Sequence, residues 1–228
     1  MRIDILTLFP GMFEGFIHES IIKRAIEKGL IEINLINIRD FTLLKNGQVD
    51  DTPYGGGSGM VLMCEPVVRA IESVKTDDAK VYLMSPQGKV FNDSLAGTIY
   101  ESTKHLILVC GHYEGFDERI KNFVDGEISI GDYVLTGGEI PAMAITDCIA
   151  RFIPGVIDSE SFQNESFKNN LLDYPVYTKP RCFRGLKVPD VLLSGDHKKI
   201  DEYRKSEQIR VTKEKRPDLM RWVKWVIR

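Results

Sequence analysis

The sequence lacks the features that mark membrane-spanning, secreted and zinc-binding proteins. Its longest apolar stretches, such as residues 106–110, are far shorter than the roughly 20 residues that a bilayer requires. The first ten residues contain an acid and no small-residue cleavage site, so they predict a first strand and not a signal peptide. The four cysteines form no Cys-x-x-Cys pair, and their wide spacing favours neither a zinc site nor a disulfide framework: Cys64, Cys110, Cys148 and Cys182. We therefore expect a cytoplasmic protein with no membrane partner and no metal site.

Internal repeats and low-complexity tracts are also missing, and the composition is that of a globular protein. The chain has 228 residues, which fits one large domain or one large and one small domain at a prior of about 150 residues per domain. Hydrophobic residues make up 43% of the sequence, enough to bury a sizeable core.

Positive charge is concentrated at one end of a chain whose net charge is −3. Residues 179–228 contain 15 Lys and Arg but only 7 Asp and Glu, whereas residues 1–178 contain 15 basic and 26 acidic residues. This asymmetry points to a polyanionic partner, and a solvated helical surface would explain it about equally well. Nucleic acid is therefore a candidate partner of the C-terminal region.

The first 150 residues alternate between strand and helix patterns. Apolar runs predict strands at 2–9, 30–38, 79–84, 105–110 and 127–130. Helical periodicity and capping residues predict helices at 12–28, 65–74, 92–103, 116–124 and 139–152. Because apolar strands that alternate with helices form a parallel sheet covered on both faces, the predicted fold class is α/β.

The pattern changes after residue 157. Residues 158–170 are polar with little periodicity, which predicts a flexible linker. Residues 188–228 are mostly helical by pattern, and Trp222 and Trp225 are expected to share a helix face and to pack. The predicted organisation is a domain of residues 1–157, the linker, and a small basic helical domain of residues 171–228.

The glycine-rich loop at 54–60 matches no standard nucleotide-binding motif. No Gly-Lys-Ser/Thr follows it, which excludes a P-loop. Met60 and Leu62 stand where the third glycine of a Gly-x-Gly-x-x-Gly fingerprint would be. The loop is either a mobile surface connector or a segment whose backbone approaches a substrate closely.

Three other glycine-bearing loops, at 85–88, 111–115 and 130–138, each follow a predicted strand. Ligands of parallel sheets bind beyond the carboxyl ends of the strands, so we expect these loops to converge on one rim. Glycines there let main-chain amides and carbonyls reach a ligand, and residues such as Ile130 and Leu135 can pack on an adenine ring. Each loop alone would be explained as a tight turn, but together they favour a nucleotide-like cofactor.

Long and ordered motifs extend over nearly the whole chain. They are DDTPYGGGSGM (50–60), LMSPQG (83–88), CGHYEGFDER (110–119), SIGDYVLTGGE (129–139), RFIPGV (151–156), LLDYPVYTKP (171–180), VLLSGDH (191–197) and RPDL (216–219). With these motifs the sequence resembles the bacterial tRNA (guanine-37-N1)-methyltransferases of the SPOUT superfamily.

The resemblance implies a SPOUT-type α/β fold whose C-terminal part forms a trefoil knot, although true knots are nearly absent from protein folds. It further implies a homodimer that binds tRNA across both subunits and shares its active site between them. The methyl group of S-adenosyl-L-methionine, bound bent in the knot, would go to N1 of the guanosine at tRNA position 37. The family's cofactor contacts correspond to Leu83, Ser85, Gly88, Gly111, Glu114, Ile130, Gly131, Asp132, Tyr133, Val134, Leu135, Gly137 and Gly138.

Two residues match the family's catalytic pair. Methylation of guanine N1 requires a base for the N1 proton and a cation for the charge that develops on the guanine carbonyl oxygen. By resemblance Glu165 is that base, where the family usually has Asp, and Arg151 is the cation. Judged from the residues alone, Glu165 would be a solvated acid of the linker, and Arg151 would be a cation at the C-terminal end of a helix. His112 stands where many members have Arg, and the family's activity can depend on Mg²⁺, for which the sequence shows no dedicated ligand cluster.

Two other functions stay open on the residues alone. An RNA-binding protein without catalysis would use only the basic C-terminal region. Binding of a cofactor would exclude this hypothesis. A nucleotide-dependent enzyme for small molecules would use only the glycine-rich rim. Full activity after deletion of residues 179–228 would support this second alternative.

Overall fold

The structure is a computed structural model that describes residues 1–163 and 165–220. The chain forms two compact units, Met1–Asp158 and Ser159–Arg228. Asn164 and the two tryptophans predicted to pack together, Trp222 and Trp225, lie outside the described residues. In the part of the chain that is described, no helix combines the length and the apolar character that crossing a membrane would need.

A five-stranded parallel sheet forms the centre of the first unit, in the spatial order β2-β1-β6-β5-β7. Its strands are β1 (Arg2–Thr7), β2 (Glu32–Asn37), β5 (Lys80–Val90), β6 (His105–Cys110) and β7 (Gly126–Ser129). Two short strands, β3 (Asp50–Asp51) and β4 (Val61–Leu62), form a separate antiparallel pair. The α/β class and the parallel sheet are confirmed, with each strand close to its predicted position.

Helices cover both faces of this sheet. They are α1 (Glu14–Ile17), α2 (Ser20–Glu27), α3 (Cys64–Val74), α4 (Asp93–Ser102) and α5 (Glu139–Ala150). In the central strand β6, Leu106 and Leu108 pack into the core cluster that contains α4 and α5, whereas Ile107 and Val109 pack into the cluster that contains α3. Because both faces of β6 are buried, its sequence is continuously apolar instead of alternating.

The single helix predicted at 12–28 is wrong. The segment forms a 3-10 helix (Pro10–Phe13), then α1 and α2, and Ser20 at the break has a φ of +55°. An L-residue in this left-handed region cannot continue a right-handed helix. The predicted end of α2 is correct, because Gly29 has a φ of +67° and the N–H groups of Gly29 and Leu30 donate to carbonyls of the last turn in a Schellman pattern.

The helix predicted at 116–124 is a 3-10 helix, Glu118–Phe123. The carboxylate of Asp117 caps it by accepting from the backbone N–H of Arg119 at 2.9 Å and from the guanidinium of the same residue at 2.6 Å. The hydrogen bond from this guanidinium lowers the pKa of Asp117, so the cap is charged at neutral pH. Such short segments commonly adopt the tighter 3-10 form.

The acid within the first strand, Asp4, is fully buried. Its carboxylate accepts hydrogen bonds from the Arg2 guanidinium at 2.7 Å and from the Asn34 amide at 2.8 Å, and it lies 2.9 Å from Nε2 of His105. A buried charge is tolerated when it is paired in this way. The cluster lies near the amino ends of β1, β2 and β6, away from the carboxyl ends where a ligand is expected.

Among its described residues, the second unit has little regular structure apart from one long helix. Its elements are α6 (Ser159–Gln163), a 3-10 helix (Lys168–Asn170), the hairpin of β8 (Cys182–Phe183) and β9 (Leu186–Lys187), a 3-10 helix (Asp190–Leu193) and α7 (His197–Lys215). The segment predicted as a linker at 158–170 thus contains α6 and a 3-10 helix. The hairpin was not predicted, because two-residue strands are too short to show a period.

Candidate active site

A cavity of about 300 Å³ opens at the carboxyl ends of β6 and β7 and at residues 85–88, where β5 is interrupted. This interruption of β5 and the glycine-bearing loops that follow β6 and β7 line the cavity together. Ten of the thirteen residues predicted to contact a cofactor lie in its wall: Ser85, Gly111, Glu114, Ile130, Gly131, Tyr133, Val134, Leu135, Gly137 and Gly138. The fold therefore brings the predicted rim to one place, although Ser85 and Gly138 are 53 positions apart in sequence.

The other three predicted contacts, Leu83, Gly88 and Asp132, do not line the cavity. The side chain of Leu83 is fully buried in the core cluster on the α3 side of the sheet. Gly88 packs against the backbone of β7, as described next. Their role as cofactor contacts stays a prediction.

Residues 85–88 leave the ladder between β5 and β7. Ile128 pairs with both Met84 and Lys89, so the four residues between these two positions loop out towards the cavity. A Cβ atom on Gly88 would lie 2.6 Å from a backbone carbonyl oxygen of β7, a distance that no real Cβ tolerates. Glycine is therefore what allows the chain to return to the ladder after forming this wall of the site.

Gly138 joins the last loop to the end of β6. Its N–H donates to the carbonyl oxygen of Gly111 at 2.8 Å. A Cβ atom on Gly138 would lie 2.6 Å from Cα of Cys110 and 2.7 Å from the backbone nitrogen of Gly111. Because these neighbours are backbone atoms that cannot move aside, the close approach requires glycine and fixes the two loops against each other.

A buried carboxylate ties three elements together beside the cavity. Glu139, the first residue of α5, is only 1% exposed, and its Oε1 accepts a hydrogen bond from Oγ1 of Thr7 at 2.7 Å. Its Oε2 lies 3.0 Å from Nε2 of the cavity-lining His112. The N-terminal end of α5 carries a positive partial charge, which favours an anion at this position. The imidazole of His112, whose ring centroid is 4.7 Å from that of Phe9, is thereby held in one orientation.

The glycine-rich loop at 54–60 reaches this site through Glu114. The backbone N–H of Glu114 donates to the carbonyl oxygen of Met60 at 2.9 Å. A Cβ atom on Gly59, whose φ is +81°, would lie 2.5 Å from Oε1 of Glu114. These contacts favour the second alternative for this loop, in which its backbone approaches the site closely.

Sequence reasoning missed the charged rim of the cavity. Nζ of Lys121 donates to Oε1 of Gln87 at 3.1 Å and forms ion pairs with Glu118 at 2.9 Å and Glu127 at 3.3 Å. The bond to Glu118 is the main reason why the pKa of Lys121 is raised, so the ammonium stays charged. Gln87, Lys121 and Glu127 come from three different segments of the fold. No local pattern in the sequence could therefore have grouped them.

Arg151 is placed at the far end of α5 from this cavity. It is the C-cap of the helix, whose first residue, Glu139, lies beside the cavity. Twelve residues at a rise of about 1.5 Å each separate the two ends by roughly 18 Å. The structure does not bring Arg151 to the cavity of its own chain.

Glu165 belongs to the second unit and is half-buried, between α6 and the following 3-10 helix. Three non-glycine residues just after it have left-handed backbones, with φ of +75° at Phe167, +55° at Asn169 and +57° at Asn170. Asparagine tolerates this region, but an aromatic residue there is strained, and such strain collects at functional segments. The guanidinium of Arg216 lies 5.9 Å from the centre of the Phe167 ring and helps to hold this conformation.

No group of three or more His, Cys, Asp or Glu side chains is arranged to hold a metal ion within residues 1–163 and 165–220. Cys110, at the end of β6, is fully buried. Burial raises the pKa of its thiol well above the ordinary value, so it is a packing residue and not a nucleophile.

The sequence was compared with known families and proteins. The family model described as "tRNA (Guanine-1)-methyltransferase TrmD" matches residues 1–222. A tRNA (guanine-N(1)-)-methyltransferase of Malacoplasma penetrans is 57% identical over 219 residues, which cover 96% of each chain. The proteins of the same name from Mycoplasma capricolum and Clostridioides difficile are 56% and 55% identical, over 96% of this chain and 92% and 97% of their own.

The chain belongs to the tRNA (guanine-1)-methyltransferase family. Membership covers both units, since the match extends from the first strand to beyond α7. The resemblance seen in the motifs is thereby confirmed. Two residues differ from those usual in the family. Of these, His112 contacts Glu139 at the cavity, and Glu165 lies in the second unit.

Proposed function

We propose that the protein transfers a methyl group from S-adenosyl-L-methionine to N1 of the guanosine at position 37 of tRNA, in the cytoplasm. The observation that carries the proposal is the cavity at the carboxyl ends of β6 and β7 and at the interruption of β5, in a chain that belongs to this methyltransferase family. In the proposed fold, of the SPOUT type, the three loops form a trefoil knot around the cofactor. An RNA-binding protein without catalysis is not favoured, because it would leave this cavity without a role.

The cavity wall fits the proposed cofactor. Its volume of about 300 Å³ is at the lower end of the range for small-molecule sites. Gly111, Gly137 and Gly138 leave main-chain groups accessible for the polar edge of adenine, and Ile130 and Leu135 supply apolar surface for its faces. We propose all thirteen residues named from the resemblance as its contacts, with Leu83, Gly88 and Asp132 acting through their backbones or through their neighbours.

The chemistry needs a positioned base and a positioned cation. The cofactor would supply a methyl carbon activated by its sulfonium charge, and its sulfur would leave as a neutral thioether when the carbon–sulfur bond breaks. Glu165 would accept the N1 proton of guanine as N1 attacks that carbon, and Arg151 would stabilise the negative charge on the guanine carbonyl oxygen. Glu is one methylene longer than the usual Asp, and the unusual backbone at 167–170 is where the extra reach would be accommodated.

We further propose a homodimer with an active site shared between the subunits. The length of α5 supports this, because about 18 Å separates Arg151 from the cavity end of the same helix and an arginine side chain cannot span that distance. Several large apolar side chains around the cavity end of the first unit are exposed and suit a protein interface: Phe9, Met12, Val134 and Ile140.

The proposed organisation keeps the boundaries expected from the sequence. Residues 1–157 form the methyltransferase domain, residues 158–170 the interdomain linker and residues 171–228 a helical, basic domain that binds tRNA. The net charge of the last fifty residues supports the last assignment, because it matches the phosphate backbone of RNA. The family resemblance also implies that Mg²⁺ can support the reaction, so activity is to be measured with and without this ion.

The proposal is tested by nucleoside mass spectrometry on unmodified tRNA incubated with the protein and the cofactor. We expect 1-methylguanosine in this tRNA and none in a transcript that lacks the guanosine at position 37. Arg151→Ala and Glu165→Gln should each abolish turnover while cofactor affinity, measured by calorimetry, stays nearly unchanged. Cofactor binding without any methylated nucleoside in the parent protein would refute the proposed reaction, and full turnover in either variant would refute the role of that residue.

A further inference from the structure

The hairpin of β8 and β9 is an exposed and purely basic element of the second unit. All residues from 176 to 187 are exposed, including Phe183 at 59% and Leu186 at 76%. No acidic residue occurs between Asp173 and Asp190, whereas this interval contains Lys179, Arg181, Arg184 and Lys187. Exposed large apolar side chains at the tip of a hairpin suit contact with another molecule, and all charged residues of this interval are cations.

The hairpin has a defined shape. Its two central residues have left-handed backbones, with φ of +49° at Arg184 and +84° at Gly185, which is the requirement of a tight two-residue turn. Phe183 pairs directly with Leu186, so their side chains lie on the same face. The N–H of Val188 donates to the carbonyl oxygen of Arg181 at 3.0 Å and extends the ladder. The hairpin therefore presents one apolar pair on one face, with Arg181 on that same face and Lys187 on the other.

The chain that leads into the hairpin is attached to α7. The backbone N–H of Leu172 donates to Oγ1 of Thr212 at 2.8 Å, and the guanidinium of Arg204 lies 5.0 Å from the centre of the Tyr174 ring. Burial raises the pKa of Tyr203 on α7, and the nearby hydroxyl of Tyr177 adds to this rise, so Tyr177 also lies beside the helix. These contacts give the hairpin a fixed base from which its tip projects.

We propose that this hairpin is a docking element for the RNA substrate, in which Phe183 stacks on a nucleobase while Arg181, Arg184 and Lys187 bind the neighbouring phosphates. The guanidinium of Arg184 lies 5.3 Å from the centre of the Phe183 ring. An aromatic ring flanked by cations is the arrangement that binds single-stranded nucleic acid, because every base has a π-face and every linkage a negative charge. The partner is RNA because the proposed substrate is tRNA, and to that extent the inference rests on the proposed function.

The charges are tested by the affinity of the full chain for an unmodified tRNA transcript, measured by fluorescence anisotropy over a series of salt concentrations. The triple variant Arg181→Ala, Arg184→Ala, Lys187→Ala should bind about tenfold or more weakly, and the slope of log affinity against log salt should fall by about two to three. The matched control Lys23→Ala, Arg24→Ala, Lys28→Ala removes the same charge from exposed positions on or next to α2 and should bind like the parent protein. Cofactor affinity should be unchanged in both.

The ring is tested separately. Phe183→Leu keeps an apolar side chain but removes the stacking surface and should weaken binding about fivefold or more, whereas Phe183→Trp should bind at least as well as the parent protein. If Phe183→Leu and Phe183→Trp lose the same tRNA affinity, the proposal is overturned. Unchanged tRNA affinity in the triple variant would also overturn it. A change of oligomeric state in Phe183→Ala with unchanged RNA affinity would also overturn it and would make the hairpin a subunit contact.

Failure of this inference and failure of the proposed reaction give different results. If the parent protein methylates guanosine 37 but the hairpin variants bind tRNA normally, only the docking role is wrong. If binding depends on the hairpin but no 1-methylguanosine forms, the docking role stands and the proposed reaction is wrong.

Discussion

The two units of the chain differ in how much of their surface they bury. In the first unit, both faces of a five-stranded sheet are covered and the central strand β6 is fully buried. In the second unit, only Val211 and Thr212 are buried among the residues that the structure describes. Apolar burial is the main source of folding free energy, so the first unit has a core of its own, whereas the described residues of the second unit form no comparable core.

This difference in burial fits the two roles that we propose, which are cofactor binding by the first unit and RNA binding by the second. The cofactor needs a preorganised wall, and the loops of the first unit are fixed by close backbone contacts at Gly88 and Gly138. RNA needs accessible charge, and a helix such as α7 with few buried residues keeps its cations in solvent. The predictions below separate these two kinds of structure.

The largest effect is expected from Gly138→Ala. The new Cβ would overlap backbone atoms of Cys110 and Gly111, so the loop must move away from the end of β6. We expect a loss of about 3 kcal/mol in the free energy of unfolding, and cofactor affinity about 100-fold lower. Chemical denaturation and calorimetry measure the two quantities.

Gly15→Ala is the matched control for this substitution. Gly15 lies in α1, and apart from its chain neighbours and the backbone of its own helix no atom lies within 4 Å of the position that its Cβ would take. Alanine in a helix is favoured over glycine by up to about 1 kcal/mol, so stability should stay equal or rise and cofactor affinity should not change. A Gly138→Ala protein that behaves like this control would contradict the role of close backbone packing in the site.

The contrast in burial is tested directly by one core truncation in each unit. Leu108→Ala in β6 should cost about 3 kcal/mol, because the cavity it leaves is enclosed by the core cluster between the sheet and helices α4 and α5. Val211→Ala in α7 should cost about 1.5 kcal/mol or less, since its surroundings are open to water and can relax. Urea denaturation measures both, and equal costs would show that the second unit has a true core.

A smaller effect is expected from Glu139→Gln. The glutamine keeps the size of the side chain but removes the negative charge that faces Nε2 of His112 and accepts from Thr7. We expect a loss of about 1.5 kcal/mol in stability, since a hydrogen bond to a charged group is replaced by a neutral one. Cofactor affinity should fall in parallel because His112 lines the cavity, and unchanged affinity would mean that the imidazole plays no part in binding.

The smallest effect is the pH dependence contributed by Asp117. Its pKa is lower in the folded protein than its ordinary value, chiefly through the hydrogen bond from the Arg119 guanidinium, so the folded state favours the carboxylate. The stabilisation is complete above the ordinary pKa and is lost as the pH falls through the lowered one. Asp117→Asn should therefore cost about 1 kcal/mol or less at neutral pH, in keeping with a partly exposed cap. In urea titrations the difference should shrink below about pH 4, and a difference that grows there would reverse the sign of the shift.

Much of the first unit could be predicted because its elements carry local signals. The apolar runs of β1 and β6, the glycine after α2 and the pattern of α5 all indicated elements that the structure contains. The break at Ser20 and the return of β5 to the ladder at Lys89 could not be predicted, because each depends on what the segment packs against. The β8–β9 hairpin was missed because its strands are only two residues long.

The sequence by itself determined the fold class, the basic character of the C-terminal region and, through long motifs, the family. Composition and periodicity are properties of neighbouring residues, and the chain carries them whether or not it is folded. Only the tertiary structure decided which groups meet: Glu139 with His112 and Thr7, Gly138 with the end of β6, and Lys121 with the rim of the cavity. These contacts join residues up to 132 positions apart, and their distances follow from sheet register and helix packing, which no local pattern contains.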